Sequence, residues 1–225
     1  YPAIKSADPY AQVGIGGLLL DCDPTVDSSC KSGKFLNGII RETGVHERGD
    51  NFDFISFHGY AAYSSASGLS LDENHPKWKH RGGVVLGKLD YIRHVLDAFH
   101  LEKPIYHTEG ALLCPEYNTT DCTNPGANFE EAQADYVVWL FVRNWANDVD
   151  LTVWYEFQGP GWRYGGLLDG SQNPKPAYNA LQFLTQELAG ASYTGRVLEN
   201  TAVDAYEFAR TDVKVWVMWS PDEIN

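Results

Sequence analysis

The chain has 225 residues, of which 44% are hydrophobic and 21% charged, a composition typical of an ordered globular protein. Its formal net charge of −13 at pH 7 argues against nucleic acid and against an anionic membrane surface as partners, because both attract a surplus of Lys and Arg. No apolar stretch approaches the ~20 residues that a membrane-spanning helix needs.

Apolar and amphipathic segments alternate along the chain. Four strands are predicted, the first of them buried, and each strand is followed by a helix. The predicted strands are 12–21, 52–60, 104–112 and 151–158, and the predicted helices are 34–43, 84–100, 129–147 and 175–188. Four successive strand–helix units indicate an α/β fold with a parallel sheet and right-handed crossovers.

The alternation ends near residue 190. Three short strands are predicted beyond it, at 196–199, 204–209 and 214–220, with no helix between them. We therefore expect two domains. Residues 1–190 hold the strand–helix units, and residues 191–225 begin a small β appendage.

Four cysteines form two pairs that are close in sequence. Cys22 and Cys30 enclose seven residues, and so do Cys114 and Cys122. Four cysteines allow three pairings, and pairing within each short loop is the simplest. A zinc site and free thiols are the alternatives, although no Cys-x-x-Cys or paired histidines occur. Asn118 begins a glycosylation sequon, so the two loops favour a secreted or otherwise extracytoplasmic glycoprotein.

Three of the predicted strands become polar toward their carboxyl ends. Strict alternation places six of their side chains on one face, where they would converge: His58, Tyr60, His107, Glu109, Trp154 and Glu156. Inward-pointing residues at strand carboxyl ends form the active site of a parallel barrel. An open doubly wound sheet would also gather a ligand there, but the glycines of residues 14–17 lack the Gly-x-Gly-x-x-Gly spacing.

The same segments resemble strands of the large clan of retaining glycoside hydrolases with eight-stranded barrels (clan A, which includes cellulases, β-xylosidases and glucosidases). Pro-Ile-Tyr-His-Thr-Glu-Gly at 104–110 resembles the seventh strand, residues 52–60 the sixth, and Val-Trp-Tyr-Glu-Phe at 153–157 the eighth. Residues 4–17 resemble the approach to the fifth strand, and residues 165–178 the segment before the last helix. The match implies strands five to eight of a (β/α)8 TIM barrel.

This resemblance implies retaining hydrolysis of the O-glycosyl bonds of an oligo- or polysaccharide, with Glu109 as the nucleophile. The histidine and tyrosine of the sixth strand, His58 and Tyr60, would contact the sugar and the nucleophile, and Trp154 would floor the sugar subsite. Four further residues are predicted to bind substrate: His107, Glu156, and the loop aromatics Trp162 and Tyr164. We expect no cofactor and no metal ion.

One element of the clan pattern is absent from the sequence. The clan supplies its acid/base glutamate from the end of strand four, commonly as Asn-Glu-Pro, and no such motif occurs. We expect the partner to be an N-terminal half-barrel or a second copy of the chain. Alone, the chain is expected to be neither a stable monomer nor an active enzyme.

Two other functions stay open at this point. A non-catalytic, carbohydrate-binding relative of the hydrolases would keep the cleft without the acid/base group. A metal-dependent hydrolase would use His58 and His107 as ligands, although such sites usually need carboxylates or further histidines as well.

Overall fold

A computed structural model of the protein describes residues 1–42, 51–63, 70–115, 127–197 and 203–220. By their contacts these residues form two compact units. The first comprises the residues up to Ala61, those from Ser70 to Gly110, and Val149–Trp154, and the second comprises the others. Within these ranges, no helix has both the length and the apolar character needed to span a bilayer.

A parallel four-stranded sheet lies mainly in the first unit, with its strands side by side in chain order. The strands are β1 (Gly14–Leu18), β2 (Phe54–Ala62), β3 (Ile105–Leu113) and β4 (Leu151–Trp154). The helices of this unit are α1 (Pro2–Ala7), α2 (Lys31–Glu42), α3 (Ser70–Glu73) and α4 (Val84–Ala98), with a 3-10 turn at Lys79–Arg81. Neighbouring order of this kind is the one that consecutive strand–helix–strand units favour.

Burial in the first unit follows the periods of its elements. In α4 the buried residues Val85, Leu89, Ile92 and Leu96 recur at the spacing of one helix face. In β2, Ile55 and Phe57 are fully buried, and they alternate with more exposed side chains toward the strand end. Full burial of each such side chain contributes about 1.5–3 kcal/mol.

The second unit combines two helices with an antiparallel sheet. The helices are α5 (Ala127–Ala146) and α6 (Pro176–Leu188), and the sheet pairs β5 (Ser192–Arg196), β6 (Asp204–Arg210) and β7 (Val213–Trp219) in that order. Side chains from both helices and from β6 share one core: Val142, Leu184, Leu188, Tyr206 and Phe208. The predicted domain division near residue 190 stays a prediction.

The structure corrects the predicted extent of two strands in the parallel sheet. The first strand is shorter than 12–21, and Gly16 and Gly17 are exposed rather than buried. Among the described strands, β1 has a neighbour on one side only. The fourth strand ends at Trp154 rather than at residue 158. The carbonyls of Glu156 and Phe157 accept hydrogen bonds from Leu167 and Leu168 (2.9 and 3.3 Å), so the chain has left the strand there.

The first strand of the antiparallel sheet is also displaced from its predicted position. It was predicted at 196–199, whereas β5 covers Ser192–Arg196 and residues 198 and 199 lie outside the described ranges. Because β5 is made mainly of polar residues and glycine, it lacks the apolar alternation that would have predicted a strand there. The short helix α1 was not predicted. It begins with Pro2 in its first turn, where proline is tolerated.

The predicted disulfide between Cys22 and Cys30 is confirmed, with 5.8 Å between the two Cα atoms. Asp23, inside this loop, has a fully buried carboxylate that lies 2.8 Å from His80 Nε2 and accepts a hydrogen bond from Arg81 Nε (2.5 Å). These contacts attach the disulfide loop to the Lys79–Arg81 turn. Cys114 is also disulfide-bonded, but its predicted partner Cys122 and the sequon at Asn118 lie outside the described residues.

Candidate active site

The structure brings three of the predicted site residues together in the first unit. Glu109 is the middle residue of β3 and precedes Gly110, which pairs with the last residue of β4. Its Oε2 accepts a hydrogen bond from the hydroxyl of Tyr60. The same oxygen lies 3.1 Å from His58 Nδ1, and the Glu109 side chain is 33% exposed. Neither contact uses Oε1. The carboxylate is therefore held by one oxygen and accessible to solvent.

A bulge in β3 turns Glu109 toward His58 and Tyr60. His107 pairs with Thr152 and Gly110 pairs with Trp154, so β3 advances three residues while β4 advances two. Bulges of this kind re-aim side chains and are common beside active sites. Without the extra residue, Glu109 would share the face of His107.

His107 lies on the other face of the sheet, so the prediction that it shares a face with Glu109 is wrong. Its ring stacks on Phe57, with ring centroids 4.6 Å apart and planes 5° apart. Phe57 alternates with His58 along β2 and therefore points the opposite way. His107 is fully buried, and burial together with the nearby charge of Lys88 lowers its pKa to about 3.

The opposite orientation of the two histidines also bears on the metal-dependent alternative. His58 and His107 do not share the face that a common metal ion would require. Within the described part of the chain, no group of three or more His, Cys, Asp or Glu side chains is arranged to hold a metal ion.

Glycines make room for both histidine rings. A Cβ atom at Gly17 of β1 would lie 1.9 Å from His58 Nε2, whereas a Cβ at Gly16 would have no atom within 4 Å. A Cβ at Gly59 or Gly110 would lie within 3 Å of the His107 ring. The run Gly-Ile-Gly-Gly in β1 allows this close approach. Its specific partner, the ring of His58, was not predicted.

The protonation of His58 follows from its surroundings. Burial lowers its pKa, the Glu109 carboxylate raises it, and the Lys88 ammonium lowers it, with a net shift below the ordinary value of 6.5. His58 is therefore mainly neutral at pH 7.

Trp154 is placed beside this group but is largely covered. It ends β4 in register with Gly110, the residue after Glu109, and it is 7% exposed. At this exposure the indole is mainly a packed side chain, and a sugar would reach only its edge.

The other three predicted site residues, Glu156, Trp162 and Tyr164, lie in one loop of the second unit. Glu156 Oε1 accepts a hydrogen bond from the backbone N–H of Trp162 (2.9 Å), which fixes the start of a 3-10 turn. Trp162 is 38% exposed. Arg163 and Tyr164 have φ angles of 48° and 58°, which cost on the order of 1 kcal/mol or more each.

Two residues that the sequence analysis missed hold this turn in place. The buried Lys175 Nζ donates to the carbonyls of Tyr164 (3.0 Å) and Gly166 (2.8 Å) and to Gln133 Oε1. Gln133 Nε2 donates to the carbonyl of Tyr164 (3.0 Å) and to that of Leu112 (3.1 Å). The sequence feature that could have drawn attention to Lys175 is its position between two prolines, at 174–176.

Several solved structures resemble the chain as a whole. The family 39 glycoside hydrolase from Bacteroides cellulosilyticus WH2 superposes with a TM-score of 0.62 at 18% identity, over 99% of this chain and 43% of its own. A monomeric β-xylosidase from Caulobacter crescentus CB15 (TM-score 0.54, 18%) and a glucosidase from Croceicoccus marinus (0.53, 17%) each match 92% of this chain and 40% of their own.

No protein-family model matches the sequence, and neither does any curated protein. The chain spans about two fifths of the length of these structural neighbours, which have TIM barrels. At identities below one fifth, the likeness establishes the fold. The parallel sheet and its helices thus form part of a (β/α)8 barrel, as predicted.

Proposed function

We propose that the protein is a retaining glycoside hydrolase that acts on an oligo- or polysaccharide, with Glu109 as the catalytic nucleophile. The observation that carries the proposal is the partly exposed Glu109 carboxylate, held through Oε2 by Tyr60 and His58. It is level with the carboxyl end of β4, because the next residue, Gly110, pairs with Trp154. Barrels of this class use such positions for catalysis. The likeness to glycoside hydrolases in fold supports the same reaction class.

In this proposal, Oε1 of Glu109 attacks the anomeric carbon while the bond to the leaving-group oxygen breaks, giving a covalent glycosyl-enzyme ester. The two contacts on Oε2 keep the carboxylate oriented. The ester is then released when water attacks the same carbon. Tyr60 and neutral His58 act through Glu109, and both are exposed enough to contact sugar hydroxyls as well.

The second carboxyl group must protonate the leaving group and later activate water, from ~5–5.5 Å away. Glu156 is engaged with the backbone of Trp162, and we assign it to loop support rather than to this role. We propose that the acid/base group comes from the complementary barrel strands. These belong to an N-terminal half-barrel, because a second copy of the chain would lack the acid/base motif as well.

Sugar binding is assigned to the aromatic loop. Trp162 is exposed, and the turn that carries it is held by Glu156, Gln133 and Lys175. Flat, pre-organised aromatic faces suit the apolar faces of sugar rings. Trp154 contributes an edge at most, and His107 acts as a packed support behind the strand end. The Cys22–Cys30 disulfide supports secretion into an oxidising compartment.

The test replaces Glu109 by Gln in the protein with its complete barrel. The amide is nearly isosteric but is not a nucleophile, so we expect kcat to fall by roughly three orders of magnitude or more with folding intact. The matched control is Glu102→Gln, at an exposed glutamate shortly before β3. Activity near that of the control variant would end the assignment. Sugar binding without any hydrolysis by the parent protein would also end it and would indicate a non-catalytic, carbohydrate-binding relative.

A further inference from the structure

Lys88 of α4 is a buried lysine that the proposed mechanism does not use. It is 7% exposed, and its ammonium donates to two backbone carbonyls, those of Leu19 (2.6 Å) and His58 (2.8 Å). Burying an ammonium group is costly, and an apolar side chain of similar volume is often equally or more stabilising. The charge therefore calls for a role other than filling space.

One of the two carbonyls belongs to His58, whose ring contacts the candidate nucleophile. Leu19 directly follows β1, and His58 is the middle residue of β2, so one ammonium group joins the two neighbouring strands. The imidazole of the same His58 lies 3.1 Å from Glu109 and fits over Gly17 of β1. A shift of either strand would move the ring away from the carboxylate.

We propose that Lys88 is a positioning residue of this site, whose ammonium group fixes His58 against Glu109 and places a positive charge beside His58. This inference rests on the proposed function. Two carboxylates, those of Asp21 and Asp72, stabilise the charged ammonium group. The ammonium group in turn disfavours the charged forms of three histidines: His58, His75 and His107.

The charge favours the protonation state that the site needs. Burial lowers the pKa of Lys88 to about 8, with Asp21 and Asp72 opposing the shift, so it is mainly charged at pH 7. Its charge in turn lowers the pKa of His58. A neutral His58 contacts Glu109 without forming an ion pair, which leaves the carboxylate charge available for attack on carbon.

Three variants separate position from charge. Lys88→Met removes the donor and the charge, and Lys88→Gln keeps a donor but no charge. Lys103→Met is the matched control, because Lys103 Nζ donates to the carbonyl of Phe52 (2.8 Å) just before β2 begins. The first readout is the pKa of His58, measured by NMR of ¹⁵N-labelled histidine. The second is the pH profile of kcat and KM in the protein with its complete barrel.

We expect a higher His58 pKa in Lys88→Met and in Lys88→Gln, and no change in Lys103→Met. The value of kcat should fall roughly 10- to 100-fold in Lys88→Met, with KM nearly constant and part of the loss restored by Gln. An unchanged His58 pKa in the Gln variant, or an equal effect in the control, would overturn the inference. If the protein cleaves no glycoside while the His58 pKa still moves, the proposed function fails and the electrostatic link stands.

Discussion

At the scale of single residues, the contacts of Glu109 distinguish its two oxygens. Tyr60 and His58 both engage Oε2, so in the proposed mechanism the attacking oxygen is Oε1. The hydrogen bond from Tyr60 and the close contact with His58 both fix the orientation of the carboxylate. These two residues alternate along one strand, so β2 alone sets the spacing between them.

His107 gives a pH-dependent prediction. Its folded-state pKa of about 3 lies below the ordinary 6.5, so between these values the unfolded chain binds a proton that the folded chain excludes. The stability linked to neutral His107 is complete above pH 6.5 and is lost as the pH falls toward 3, at up to ~1.4 kcal/mol per pH unit.

We expect His107→Gln to flatten this dependence, as measured by chemical denaturation between pH 3.5 and 6.5. The comparison variant is His94→Gln, at an exposed position of α4. A parent slope retained in His107→Gln would show that His107 is not the group responsible.

At the scale of elements, β1 packs closely against β2 at Gly17 but not at Gly16. Gly17→Ala places a methyl group on the His58 ring, at an initial 1.9 Å, whereas Gly16→Ala meets open space. We expect Gly17→Ala to displace His58, lowering kcat at least roughly tenfold or destabilising the fold. Gly16→Ala should match the parent in both assays. Equal behaviour of the two variants would refute the close approach.

The order of the elements could be predicted because the apolar residues of β2, β3, α4 and α6 recur at the spacing of a strand or a helix. The faces of the site could be predicted only in part. His58 and Tyr60 obey strict alternation in β2, so their convergence was correct. The bulge in β3 separates His107 from Glu109, and no apolar or polar signature marks it, because the residues around it are polar on both faces.

The loop after β4 shows a second limit of periodicity. Glu156 was placed on a strand face, but its backbone pairs with Leu167 and its carboxylate with Trp162. These partners lie six to eleven residues away in sequence, so strand alternation, which has a period of two residues, cannot predict them. Lys175 and Gln133, which hold the same loop, are 42 residues apart in sequence and meet only in the folded unit.

At the scale of the whole molecule, the parallel sheet has two strands, β1 and β4, that have one neighbour each among the described residues. Such edges recruit further strands. We expect residues 1–225 alone to associate at micromolar concentration, as judged by light scattering, and to show no hydrolysis of unactivated glycosides. A monodisperse, cooperatively unfolding monomer would contradict the first expectation, and efficient cleavage of a natural oligosaccharide the second.

The central claim is that Glu109 becomes covalently attached to the sugar. The direct measurement is to treat the protein with its complete barrel with activated 2-fluoro glycosides of several sugars, which slow the release of the glycosyl-enzyme, and to locate the label by peptide mass spectrometry. The account predicts one sugar on the peptide containing Glu109, and no label in Glu109→Gln. A label on another carboxylate, or turnover of the natural substrate with an inverted anomeric configuration, would contradict it.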